Sequence, residues 1–191
     1  MKRWKLIAYI LLVLAQGAAL AQIVHERETL LSDGTPVRLQ VVPVDPRSLL
    51  SGDYVILNFN INFFPGDTLR DMAPELEVRS GQAVFVALEP RQSATLSEAA
   101  GTYFAVAVAA RQADLGEARY VIRGQALNDY GKSDDYGLNL SYGIENYFVP
   151  QFAGLVIEES LARTEAEVML GPQGDAALKR LFIDGEEVVF E

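Results

Sequence analysis

Residues 53–62 read Asp53-Tyr54-Val55-Ile56-Leu57-Asn58-Phe59-Asn60-Ile61-Asn62, and this alternation decides the fold class. With a side-chain period of two, Val55, Leu57, Phe59 and Ile61 share one face, while Tyr54, Ile56, Asn58 and Asn60 share the other. One apolar face backed by a carboxamide-rich one is the pattern of a strand in a sheet that is half solvated. Similar segments recur outward from it, at residues 37–44 (VRLQVVPV), 82–88 (QAVFVAL), 102–109 (TYFAVAVA), 119–125 (RYVIRGQ) and 138–149 (LNLSYGIENYFV). Residues 165–170 and 177–183 continue the series, and Asp184-Gly185 before EEVVFE is the dipeptide of a type I′ hairpin turn. Alanines alternating with valines in 102–109 predict a closely packed central strand. The period changes at 153–164, where Leu155, Val156, Glu158, Glu159 and Leu161 predict one short amphipathic helix. The expectation is a mainly β fold, an antiparallel sandwich or partly open barrel with one short helix.

The N-terminus differs from all of this. Lys2, Arg3 and Lys5 precede an apolar run at residues 6–24 that is broken only by Gln16 and Gln22. Nineteen residues at helical rise span about 28 Å, close to the roughly 30 Å of a bilayer's hydrocarbon core. A single transmembrane helix therefore fits, and the flanking cations keep the N-terminus in the cytoplasm. The same run also reads as a cleaved secretory signal, since Ala19-Leu20-Ala21 forms an A-x-A site. Both readings export the downstream residues. They divide the chain into residues 1–24, an anchor or signal peptide, and residues 25–191, an exported β-rich domain. The expected location is the cytoplasmic (inner) membrane with the C-terminal domain in the periplasm, or the free periplasm after cleavage.

Composition excludes several classes of function. The 191 residues hold no Cys and a single His25, which removes disulfides, thiol nucleophiles, thiolate metal sites and His-rich metal sites. Net charge is −10, and three cations belong to the export segment, leaving 13 basic against 26 acidic residues downstream. Such a surface repels phosphate backbones, so no nucleic-acid partner is expected. No cofactor or metal is expected either. The acidic loop at residues 128–137 matches no EF-hand spacing and reads as a solvated connection.

Two segments concentrate residues suited to recognition. In the first, Pro43 and Pro46 stiffen a loop, Gly52 and Asp53 turn it, and Tyr54 opens the two-faced strand. In the second, Glu145 and Asn146 stand among Tyr142, Tyr147 and Phe148, a mixture that suits a saccharide or peptide groove and equally a sealed strand edge. The candidate binding or interaction residues are Asp53, Tyr54, Asn58, Glu145, Asn146 and Tyr147.

Taken in order, Pro43-Val44-Asp45-Pro46-Arg47, Gly52-Asp53-Tyr54-Val55-Ile56-Leu57-Asn58-Phe59, Tyr142-Gly143-Ile144-Glu145-Asn146-Tyr147-Phe148-Val149-Pro150 and Leu181-Phe182-Ile183-Asp184-Gly185 resemble the bacterial GDYXXLXY family. The resemblance runs from the apolar segment to the C-terminus. Pro43, Asp45, Pro46, Gly52, Asp53, Tyr54, Leu57 and Phe59 carry its structural motif, with Phe59 where the family name has Tyr. Gln151 likewise stands where members tend to have Glu. The resemblance implies a membrane-anchored protein of unknown function, associated with a polytopic membrane protein, and it implies no catalytic residues.

A hydrolase would need a Ser-Lys dyad, from Ser48 or Ser51 with Lys132 or Lys179, or a carboxylate pair such as Asp53 with Glu145. No lysine opens an apolar strand, where burial would make it a base. The expected role is therefore a non-enzymatic accessory or interaction domain. A ligand-binding module for an envelope saccharide or peptide is the first alternative, and a hydrolase the second.

Overall fold

The computed structural model describes residues 3–43, 54–91, 101–131, 136–150, 157 and 160–189. Helix α1 (Arg3–Asp33) runs without a break from the apolar segment into the first strand, well past Val24. It is long and apolar enough to cross a membrane by length and composition. From Trp4 to Thr29 every described side chain is exposed. The last two turns touch the rest of the chain, where Leu30 and Leu31 are half-buried and Arg27 Nη1 donates to the Ala176 carbonyl at 2.8 Å.

The body is mainly β, as the alternation predicts. Its strands are β1 (Thr35–Val42), β2 (Tyr54–Ile56), β3 (Asn58–Phe59), β4 (Phe63–Phe64), β5 (Ala83–Arg91), β6 (Thr102–Ala109), β7 (Tyr120–Ala126), β8 (Leu138–Ser141), β9 (Asn146–Phe148), β10 (Thr164–Leu170), β11 (Ala176–Ile183) and β12 (Glu186–Glu187). One mixed sheet runs β12-β11-β10-β1-β6-β5-β7-β8-β4, with β3 paired to the end of β1, and β2 and β9 form a separate ribbon. Pairing is antiparallel throughout, except where β1 meets β6 in parallel at Arg38 and Thr102. The segment from β3 to β4 carries the chain from β1, in the middle of this path, to β8 near its end. It bridges the sheet without closing it into a barrel.

The side chains of residues 55–61 bury as their spacing dictates, but residues 54–62 are not the one strand expected: β2 pairs with β9, β3 pairs with β1, and a turn follows at 60–62. Val55, Leu57, Phe59 and Ile61 are 2% exposed or less and join the core with Leu39, Val86, Ile122 and Leu140. The hairpin turn also forms as read, with φ of 52° at Asp184 and 87° at Gly185, the left-handed pair that a type I′ turn requires.

Three further local expectations differ from the structure. Residues 138–149 are not one strand: β8 and β9 are separated at Tyr142–Glu145, where Gly143 takes φ of 74° and turns the chain. Strand β6 lies inside the sheet, yet it meets β1 only at its first residue, and Val106, left unpaired at a bulge between the Ala105–Leu88 and Ala107–Ala87 pairs, is exposed instead of packed in the centre. A second helix, α2 (Gly66–Met72), forms where none was expected, stabilised by Asp67 in its first turn, Arg70 in its last and Leu69 buried against the core. The helix expected at 153–164 lies largely outside the described residues. Its described members are the buried Ile157 and Ser160, followed by a short 3-10 turn at Leu161–Arg163.

Candidate functional site

The bridging segment leaves a groove of 570 Å³ on its outer side. Strand β1 reaches it with Val42, β2 supplies Ile56, β3 Asn58, the following turn Asn60 and Asn62, β4 Phe63, β8 Asn139 and Ser141, and the turn before β9 supplies Glu145. Four apolar side chains stand exposed around this polar floor: Val42, Ile56, Phe63 and Leu127, at 39%, 43%, 49% and 58%.

Glu145 holds this region together. Its Oε1 accepts the Tyr142 N–H at 2.5 Å and an Asn62 Nδ2–H at 3.1 Å, while its backbone carbonyl accepts the Leu57 N–H at 2.7 Å. Asn62 completes the join, accepting the Phe59 N–H at 2.6 Å and donating to the Leu140 carbonyl at 2.8 Å. The Tyr142 hydroxyl donates to the Ile61 carbonyl at 2.7 Å, and burial, reinforced by the Glu145 charge, holds its pKa well above the usual tyrosine value. A carboxylate placed to receive two N–H groups of its own fold is a turn fastener first.

Other groups in the groove are not engaged. The Asn58 and Ser141 side chains make no hydrogen bond among the described residues, and Asn60 Oδ1 is buried without a donor although its Nδ2 donates to the Tyr103 carbonyl at 3.1 Å. A buried carbonyl oxygen with no partner is uncommon, since leaving it so costs about 1–3 kcal/mol.

Of the six candidate residues read from the sequence, the groove brings together Asn58 and Glu145. Asn146 is exposed on β9 opposite Ile56, and the next residue, Tyr147, pairs with Val55 and turns the other way, half-buried against the core. Burial, with the Glu187 charge nearby, raises the Tyr147 pKa. Tyr54 enters as the first residue of β2, opposite Phe148. Asp53 lies outside the described residues, as do Asp45, Pro46 and Gly52 of the motif and Ser48, Ser51 and Lys132. Leu57 and Phe59 are core residues, and Pro43 lines the groove. Sequence reasoning misses Asn62, Phe63, Leu127 and Asn139. The recurrence of Asn at 58, 60 and 62 is a local signal for the first, whereas Leu127 and Asn139 arrive through strand pairing that no local pattern encodes.

A larger cleft of 1240 Å³ lies at the other end of the body, between the last turns of α1 and the β10–β11 turn, with Arg27, Leu30, Arg119 and Pro172 in its wall. Strand β1 starts at this cleft with Thr35 and ends at the groove with Val42. Eight residues of strand separate the two by about 23 Å. Among the described residues no group of three or more His, Asp or Glu side chains is placed to hold a metal ion.

No curated protein and no solved structure is similar enough to match this chain. The family model for the GDYXXLXY protein matches residues 16–181, from the middle of helix α1 to Leu181 of β11. A match over most of the chain, with Leu57 and Phe59 of the motif at the centre of the core, shows that the chain belongs to the GDYXXLXY family.

Proposed function

We propose that the protein is a membrane-anchored accessory module. In this reading α1 is a single span of the cytoplasmic membrane, the β body stands on the periplasmic side, and the body works with a polytopic membrane protein. The observation that carries it is the bare surface of α1, exposed at every described side chain from Trp4 to Thr29. An apolar helix that its own chain leaves uncovered gains stability from hydrocarbon or from another apolar helix. Lys2, Arg3 and Lys5 ahead of the span support the orientation. The role proposed is non-enzymatic. The Glu145 carboxylate is engaged by backbone and Asn62 donors, and Lys179 stands exposed on β11, so neither has the dry setting of a general base.

Fractionation tests the anchor. The full-length chain should stay with membranes through alkaline carbonate washing, and protease added to spheroplasts should digest the body while sparing the N-terminus. Recovery of a soluble form starting just after Ala21 would overturn the anchored reading. Cross-linking in intact membranes followed by mild-detergent purification should retain a polytopic partner, and repeated isolation of the chain alone would count against the association.

A further inference from the structure

We propose that the groove at the far end of the body is a binding site for a neutral oligosaccharide. This deepens the anchored reading, and rests on it only for the height at which the groove is held. Strand β1 leads directly out of α1 and ends in the groove, so an anchored chain presents the groove at the pole opposite the bilayer, facing water and not lipid.

The chemistry of the lining selects the ligand class. Glu145 is the only ionic residue among the described lining residues, none of which is a Lys or Arg that would receive an anion. An extended peptide added as a strand needs free backbone groups, and three N–H groups of the lining are already engaged: Asn60 N–H by the Gln40 carbonyl, Leu140 N–H by the Asn62 carbonyl and Asn139 N–H by Asn128 Oδ1. What remains is a pair of neutral side-chain groups, the Asn58 amide and the Ser141 hydroxyl, beside the half-exposed ring of Phe63. Neighbouring hydroxyls on a pyranose both donate and accept, which matches amide and hydroxyl partners, and the apolar face of the sugar covers an aromatic ring.

The test is calorimetric titration of the full chain, held in a polyoxyethylene detergent because maltoside head groups would compete, with cellotetraose, with chitotetraose and with a short neutral peptide. Saturable binding of at least one saccharide is expected, and Asn58→Ala should weaken it by about tenfold or more without lowering the melting temperature. Phe63→Ala should weaken it similarly. If Phe63→Ala also lowers the melting temperature, Phe63→Leu, which keeps apolar volume but removes the flat ring, decides in its place. Absence of saccharide binding, binding that survives both substitutions, or saturable binding of the peptide alone would each overturn the proposal. Failure of the anchored reading appears separately, as release of the chain in fractionation, and leaves the titration unaffected.

Discussion

Glu145 has the chemistry of a ligand-binding acid and the surroundings of a fastener. Removing its carboxylate frees the Tyr142 N–H and one Asn62 contact, in a turn that also receives the Leu57 N–H. Glu145→Ala should destabilise the protein by about 2 kcal/mol in urea unfolding, and Glu145→Gln by less, because an amide oxygen still accepts a hydrogen bond. Unchanged stability in both would show that the carboxylate is held for another purpose. Tyr103 behaves in the opposite sense to an acid kept charged. Burial, together with hydrogen bonding to Tyr120, whose ring meets it edge-on at 5.0 Å, pushes its pKa up to about 12. The folded state thus favours the protonated phenol. This contribution to stability is complete below the ordinary tyrosine value of about 10, and it is lost as pH rises through about 12. Unfolding midpoints should fall over that alkaline window in the wild type and fall less in Tyr103→Phe.

Among the elements, the buried face of an alternating segment was legible from the sequence, whereas where its strands break and what they pair with was not. Val55, Leu57, Phe59 and Ile61 announce a buried face because every second side chain must leave water together. Asp184-Gly185 announces its turn because few residues tolerate positive φ in succession. By contrast, the apolar content of residues 138–149 concealed the turn at Gly143, and α2 is too short for its period to stand out. The candidate site was legible in part: Asn58 and Glu145, two of the six residues read, line the groove, while Tyr147, one residue beyond Asn146, packs against the core. The single parallel contact of β1 with β6 was invisible in the sequence. There Arg38 lies over the Phe182 ring and pairs with Glu165 at 3.4 Å, while the Thr102 hydroxyl donates to the same carboxylate at 2.7 Å. Both ionic side chains are almost enclosed, at 12% and 13% exposure, so breaking the pair leaves a charge with little water to turn to. Glu165→Ala should cost about 3 kcal/mol. The exposed Arg123–Asp175 pair offers the contrast, and Asp175→Ala should cost under about 1 kcal/mol by the same measurement.

For the molecule as a whole, the decisive feature is that α1 does not stop at Val24 but continues as helix to Asp33, clamped to the body by Arg27 and its last turn. Span and body are thus coupled like a crank and its shaft, in the proposed arrangement. Each residue inserted at 25–26 would swing the body by about 100° around the helix axis, and four would return it close to its starting azimuth, about 6 Å higher. Since the chain has no cysteine of its own, a thiol introduced at Leu127 would be a unique reporter of that azimuth. Cross-linking of this thiol to a neighbouring membrane protein should vanish with one or two inserted alanines and recover with four. A helical phase written in the juxtamembrane residues would then set which compass direction the far groove faces, independently of any residue within it.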